Sequence, residues 1–543
     1  MKQGGIYAGF LTVGCALGAM AGSGCTAVSP ARQESIADQE VPGAWKSSAE
    51  SVGGVDDNWI ASFRDTTLQG LVEEAEQRNF DLKIAAARVE KARTNARIAG
   101  ADLYPSISGG LNGSRRKQSF IGFPFGGGGD SSFGDASTST GGSATGSSAP
   151  VAGSTGSTGS STGSSTGSST GSSTGSSTGS SAADAVISSL TNSFGVSLDV
   201  QWEIDVWGRV RAGLAAALAE ADGAEAELAS LRSSIAAQTA KAWFAAQEAE
   251  QQLQLSRDSL ASFEDSVGII RARYETGDQS AAQLRLAKSD VATAQARLTE
   301  SEELKRQALR QLEVIVGRYP AAEVPANGKL PTMPKPVPAG LPSELLTRRP
   351  DLQAGERRIA AADRRILEAK LAALPQFALT ASAGTSTDKL RDVLKSDYGI
   401  WSLAGNILQP IFTGGQIKGN YDLRKAELRE ALADFNRLAV NAFREVENGL
   451  SAESVLASRE KSLIEAQGFS TEAYTQSREE YRQGLTDVIT LLTAQRQMLL
   501  AKGRVITIRR LRLENRVDLH LALGGDFKPG KVGMDKPNTN KKA

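Results

Sequence analysis

Between Phe194 and Val206 every second residue is apolar: Phe194, Val196, Leu198, Val200, Trp202, Ile204 and Val206, separated by Gly195, Ser197, Asp199, Gln201, Glu203 and Asp205. An unbroken period of two marks a β-strand with one apolar and one polar face. The run is thirteen residues long. That is roughly 43 Å at ~3.3 Å per residue, whereas an ordinary strand has ~5–6 residues. Tilted by ~35–45°, such a strand covers an apolar band ~25 Å tall, the height of an outer-membrane barrel wall. A long strand in a soluble sandwich shows the same alternation. The pattern alone therefore leaves lipid and protein core both open as the surroundings of the apolar face.

The N-terminus favours the membrane. Lys2 precedes an apolar stretch from Ile6 to Ala21, too short to span a bilayer but suited to a secretory h-region. In AGSGCTAVSP, small residues at 21–24 lead into Cys25 and resemble a bacterial lipobox, in which cleavage precedes the cysteine and lipid joins its sulfur. Gly22 stands where the lipobox usually has Leu or another aliphatic residue, and Cys15 competes with a much shorter h-region. Cleavage before Cys25 leaves a mature chain with one cysteine, which excludes disulfides and cysteine metal clusters.

Composition removes most enzyme classes. The single histidine, His520, lies in RVDLHLALGG, where a satisfied or solvated helix residue is expected rather than a catalytic base. HExxH, GxSxG and GxxxxGK[ST] are all missing. With 61 basic and 61 acidic residues, the chain has no net field to gather nucleic acid or anionic substrate. No active site, cofactor site or metal site emerges.

Prolines divide the chain. None occurs between Pro150 and Pro320 or between Pro410 and Pro529, and both stretches are rich in Ala, Leu, Glu, Gln and Arg, good helix formers. Leu428, Leu432, Phe435, Ala439, Ala442 and Val446 follow 4-3-4-3-4 spacing, a coiled-coil seam with small residues that permit close approach. Continuous helices are predicted from Gln416 to about Arg482 and from Arg209 to about Tyr274. A cytosolic coiled-coil rod would explain these helices, but neither the signal peptide nor the long strand.

The chain also repeats itself. RNFDLKIAAARVEKARTNARIAGADLYPSIS from Arg78 matches RRPDLQAGERRIAAADRRILEAKLAALPQFALTAS from Arg348, and Asp81–Pro105 and Asp351–Pro375 both span 24 residues. Each proline opens a strand-like segment; in the second, Phe377, Leu379, Ala381 and Ala383 alternate with Ala378, Thr380, Ser382 and Gly384. A second strand follows in each half, then a glycine turn (VWGRVR, IFTGGQIK), a long helix, a tip turn (RYETGDQS, EYRQGLTD) and a return helix. The halves differ by an insertion: Pro105 to Asp205 covers 100 residues, Pro375 to Pro410 only 35. The excess ends in five Gly-Ser-Ser-Thr units at 159–178, a composition that cannot bury a core. The expected boundaries are a signal peptide 1–24, an anchor segment 25–65, a first repeat 66–320 with a disordered extracellular insert at about 120–182, a Pro-rich linker 321–342, a second repeat 343–525 and a polar tail 526–543.

Four strands per chain fall short of the eight that known bacterial barrels require, and open edges cannot face lipid. Other chains must complete the barrel, as a dimer with eight strands or a trimer with twelve. The doubled unit resembles the TolC-like outer-membrane efflux channels, the outer-membrane factors, from about Trp59 to Gly525. GLPSELLTRRPDLQAGERRI (340–359), with the lipobox, resembles their NodT-type lipoprotein branch. The resemblance implies a mixed α and β membrane protein, a homotrimer with a twelve-stranded β-barrel continuous with a periplasmic α-helical barrel. It also implies a passive exit duct served by a periplasmic adaptor and an inner-membrane pump. The outer duct of a type I protein-secretion system shares this fold and stays open as an alternative. A surface coiled-coil adhesin would need repeats along a stalk and one terminal anchor instead.

On that reading Phe194, Val196, Leu198, Val200, Trp202, Ile204 and Val206 face lipid, Asp199, Glu203 and Asp205 face a water-filled lumen, and Trp202 and Trp207 supply an interfacial girdle. The resemblance also places the periplasmic gate and adaptor tip at the two helix turns. Tyr481 and Gly484 match the family's tip tyrosine and glycine, Ile489 matches an apolar constriction position, and Tyr274 and Gly277 stand in the first-half turn. The aspartate that commonly rings the aperture is replaced by Thr493, and Thr490 one turn earlier is also neutral. Asp487 is the one acid nearby, as a lumen group or as a solvated helix-start residue.

Overall fold

The computed structural model describes residues 45–47, 58–120, 187–338, 340 and 342–527. The signal peptide, Cys25, nearly all of the Gly/Ser/Thr insert and most of the polar tail lie outside the described residues. In chain order the elements are α1 (Trp59–Ser62), α2 (Thr66–Arg78), α3 (Phe80–Ala101), β1 (Ser106–Phe120), β2 (Ile187–Ile204), α4 (Arg209–Glu275) and α5 (Ala281–Val316). The second half follows with α6 (Pro342–Arg348), α7 (Pro350–Leu371), β3 (Gln376–Thr387), β4 (Gly399–Leu408), α8 (Gln416–Gln483) and α9 (Val488–Ala522). The series helix, strand, strand, long helix, return helix thus occurs twice. The four strands form one sheet in the order β1-β2-β3-β4.

Two compact units carry these elements, residues 108–199 with 381–402, and the remainder of the chain. The first is the greater part of the sheet. There β2 and β3 approach so closely that a Cβ on Gly195 would lie 2.5 Å from the Thr385 carbonyl oxygen, and one on Gly384 would lie 2.1 Å from that of Val196. Neither position can hold a side chain without the strands parting.

The larger unit is helical. α4 and α8 contain 67 and 68 residues, each roughly 100 Å long at ~1.5 Å per residue. Their uninterrupted length follows from proline-free sequence rich in good helix formers. The seam predicted on α8 packs as a core: Phe435, Ala439, Ala442 and Val446 are buried against Leu352 and Ile359 of α7, with Leu428 and Leu432 partly buried beside them. Gly355 lets the helices approach there: a Cβ on it would lie 3.1 Å from the Phe435 ring, which would have to give by a few tenths of an ångström. A second core joins Trp59, Phe63, Leu68 and Leu71 to Trp243 and Phe244 of α4 and Leu513 and Val517 of α9.

The Pro-rich linker has no regular structure from 318 to 338, yet it is fastened to the helices. The Glu313 carboxylate accepts from the N–H groups of Ala322 at 2.6 Å and Glu323 at 2.7 Å. Buried Arg516 donates to the carbonyls of Pro334 and Lys335 and pairs with Glu453. No helix among the described residues is long and apolar enough to cross a membrane.

Candidate functional site

The tip of the long helices is built by one device used twice. α4 ends where Gly277, at φ +84°, lets Gly277 N–H donate to the Tyr274 carbonyl and Asp278 N–H to the Arg273 carbonyl, at 3.1 and 2.9 Å. α8 ends where Gly484, at φ +81°, does the same for the Tyr481 and Glu480 carbonyls, at 3.1 and 2.8 Å. A left-handed glycine closing both bonds is the Schellman arrangement, which satisfies the last carbonyls of a helix. The return helices start differently. Ser280 and Gln283 form a reciprocal capping box on α5, whereas the Asp487 carboxylate caps α9 by accepting from Thr490 N–H at 2.7 Å. These hydrogen bonds, from the Thr490 backbone first, hold the Asp487 carboxyl below its ordinary range.

Beneath these turns lies a core of Phe263, Val267, Ile270, Ala287, Tyr481, Val488, Leu491 and Leu492. Tyr481 is completely buried and Tyr274, its counterpart, is 42% exposed. The Arg273 guanidinium stands over the Tyr481 ring, 4.8 Å from its centroid, and donates to the Arg482 carbonyl at 2.8 Å. One side chain thereby ties the first tip turn to the second. Burial raises the Tyr481 phenol above its ordinary value, and Arg273 works in the opposite direction. Above the core, Gln495 is fully buried and bridges Ser266 and Ser262.

Ile489, Thr490 and Thr493 share the exposed face of α9, pointing away from that core. Asp487 is exposed at the helix start. From Val488 to Leu513 the helix carries no carboxylate. The exposed face next to the tip is therefore apolar, hydroxylic and cationic. Sequence reading missed Arg273, Ser280 and Gln495. The capping box was legible as Ser-x-x-Gln, but Arg273 and Gln495 gain meaning only from partners on another helix.

At the other end of the helices the strand prediction needs two changes. β2 begins at Ile187, seven residues before Phe194, because the Ser/Thr-rich outer end pairs with β1 without alternating hydrophobicity. It ends at Ile204, so Asp205 and Val206 lie beyond the strand. The Asp205 side chain, only 8% exposed, accepts from the N–H groups of Val210 and Arg211 and pairs with the Arg211 guanidinium. It caps α4 rather than continuing the polar strand face. Glu203 makes a two-pronged pair with Arg209, and Asp199 accepts from the Ser197 hydroxyl at 3.0 Å. Among the expected lipid-facing residues, Val196, Leu198, Ile204 and Val206 are exposed, and Phe194, Val200 and Trp202 are partly covered. Trp202 and Trp207 donate their indole N–H to the carbonyls of Leu103 and Pro375, each at a helix-to-strand junction.

His520 is buried and stacked on Trp59, with centroids 5.8 Å apart. Burial, and then the neighbouring Arg516 charge, lowers its pKa to about 4. It is a neutral core group.

The sequence profile described as outer membrane efflux protein matches residues 71–149, 162–318 and 341–525. The toluene efflux pump outer membrane protein TtgF of Pseudomonas putida is 27% identical over 470 residues, covering 87% of this chain and 85% of that protein. The pyoverdine export outer membrane protein OpmQ of Pseudomonas aeruginosa is 25% identical, covering 91% and 93%. The open state of the MtrE outer membrane channel of Neisseria gonorrhoeae superimposes with a TM-score of 0.71 at 26% identity, covering 93% of this chain and 99% of that one.

Proposed function

Because the chain belongs to the outer membrane efflux protein family, we propose that three copies close a twelve-stranded barrel and act with a periplasmic adaptor and an inner-membrane pump. The protein is an outer-membrane exit duct for efflux, a passive channel and not an enzyme, with its helical barrel in the periplasm. The observation that carries closure by several copies is the sheet: four strands in sequential order leave β1 and β4 as open edges, which lipid does not tolerate; three copies rather than two are what the resemblance to the outer-membrane factors implies. Joining β1 of one copy to β4 of the next removes every edge. The efflux names of the relatives favour small-molecule export over the secretion of proteins. Their toluene and pyoverdine substrates mark apolar compounds and siderophores as cargo classes to try first.

In this reading the even residues of β2 from Phe194 to Ile204 face lipid and Asp199 and Glu203 face the lumen. Tyr274, Gly277, Tyr481 and Gly484 shape the tip that meets the adaptor. The gate formed by Ile489, Thr490 and Thr493 closes by apolar contact and hydroxyl hydrogen bonds rather than around a carboxylate ring. Cys25 is the lipidated mature N-terminus; palmitate label that persists in Cys25→Ala would contradict this. Single cysteines along β2 in native outer membranes test the barrel. Even positions from 194 to 204 should react with a lipophilic maleimide and odd positions from 197 to 203 with a membrane-impermeant one. Reactivity without a period of two would refute the assignment.

A further inference from the structure

The outer end of β1 continues the apolar stripe with cations. A Cβ on Gly113 would meet the Phe194 ring at 3.3 Å, and one on Gly110 would meet the Ser197 hydroxyl at 3.1 Å. Moving three residues back on β1 and three forward on β2 keeps the pairing, so the strands are antiparallel and directly opposed residues share a face. Gly113 belongs to the Phe194 face together with exposed Leu111. Alternation then puts Arg115 and Lys117 on that same face and Arg116 on the Ser197 face. All three are exposed.

Among the described residues, no acid on β1 or the outer part of β2 offsets them. β1 contains no carboxylate, and the first on β2 is Asp199, seven positions and roughly 23 Å along the strand from the level of Arg115. Among the described residues, none of the three cations forms an ion pair within the sheet. The turn after β3 holds Asp388, Lys389, Arg391, Asp392, Lys395 and Asp397, which balance in charge. Lys395 and Arg391 both lean on Asp392.

We propose that Arg115 and Lys117 are a docking rim for the phosphate groups of anionic lipid in the outer leaflet. The proposal rests on the reading that the Phe194 face of β2 meets lipid. Phe194 is the outermost apolar residue of the alternating run, and Gly113 lies at its level. Arg115 and Lys117 stand two and four residues further out, roughly 5 and 10 Å higher for a strand tilted ~35–45°. The headgroup layer occupies ~5–8 Å beyond the hydrocarbon. Long cationic side chains there lay their methylenes along the stripe and carry their charge to the phosphates. Arg116, turned to the opposite face, points its charge away from lipid.

The test uses the full-length protein reconstituted in phosphatidylcholine nanodiscs and titrated with phosphorylated lipid A. At ~1 kcal/mol for each basic residue near an anionic surface, Arg115→Ser with Lys117→Ser should weaken binding roughly 30-fold. Arg116→Ser should leave it within threefold, and Arg115→Lys with Lys117→Arg should retain it. Dephosphorylated lipid A should bind wild type and double variant alike, and inorganic phosphate at matched concentration should not compete. The proposal is overturned by an equal loss in Arg116→Ser, by no loss in the double variant, by undiminished binding of the dephosphorylated lipid, or by competition from phosphate alone. Incorporation into the phosphatidylcholine disc reports on the barrel itself and is read separately from the phosphate dependence.

Discussion

Acid should weaken the fold through His520, by an amount that its surroundings set. The imidazole is stacked on Trp59, enclosed by core and one helical turn from the buried Arg516. Its pKa falls from 6.5 to about 4 on folding. A base whose folded pKa is depressed is protonated first in the unfolded chain. Its neutral burial therefore costs nothing above pH 6.5, and stability is lost as pH falls from there towards 4. Below that, both states carry the proton and the loss stops growing. The full shift corresponds to about 3 kcal/mol and to about 2 kcal/mol at pH 5, at ~1.4 kcal/mol per pH unit. The assay is unfolding of the detergent-solubilised protein between pH 7.5 and 4, comparing wild type with His520→Gln. The variant loses the Trp59 stack at every pH, but its stability should lack the extra decline between pH 6.5 and 4. Parallel curves for the two proteins would refute the reasoning, whatever their offset.

Four further outcomes follow. Asp487→Ala should cost about 1 kcal/mol by removing the cap on Thr490 N–H, and Asp487→Asn distinctly less, read by hydrogen exchange at the start of α9. In lipid bilayers the wild-type channel should resist block by a trivalent cation; strong block abolished by Asp487→Asn would instead show a carboxylate ring at that residue. Gly355→Val should destabilise the packing of α7 on α8 by ~1–3 kcal/mol, because even the first added carbon sits 3.1 Å from the Phe435 ring. An epitope near Ser169 should be reached by antibody on intact cells, and a requirement for permeabilisation would reverse the strand topology.

Much of the fold was legible because its signals are periodic. Phe377, Leu379, Ala381 and Ala383 announce β3 by alternation, and Phe435, Ala439, Ala442 and Val446 announce the α8 seam by heptad spacing. The glycines at 277 and 484 mark the helix ends because left-handed backbone there favours glycine over any other residue. What stayed hidden depends on partners far along the chain. The first seven residues of β2, Ile187 to Ser193, have no apolar alternation and become strand only by pairing with β1. Asp205 looked like one more polar strand residue, and it is the adjacent start of α4 that recruits it as a cap. Arg273 reads as an ordinary helix cation until Tyr481, more than two hundred residues away, comes beneath it. The linker looks like a passive proline-rich spacer, whereas Glu313 and Arg516 fix its two ends through its backbone.

The central claim is that one chain supplies four strands of a barrel that three chains close. Native mass spectrometry of the protein extracted gently from outer membranes tests it most directly. The account predicts a dominant species with three times the protomer mass that dissociates only when the barrel unfolds. A dominant species of one, two or four protomers would contradict it.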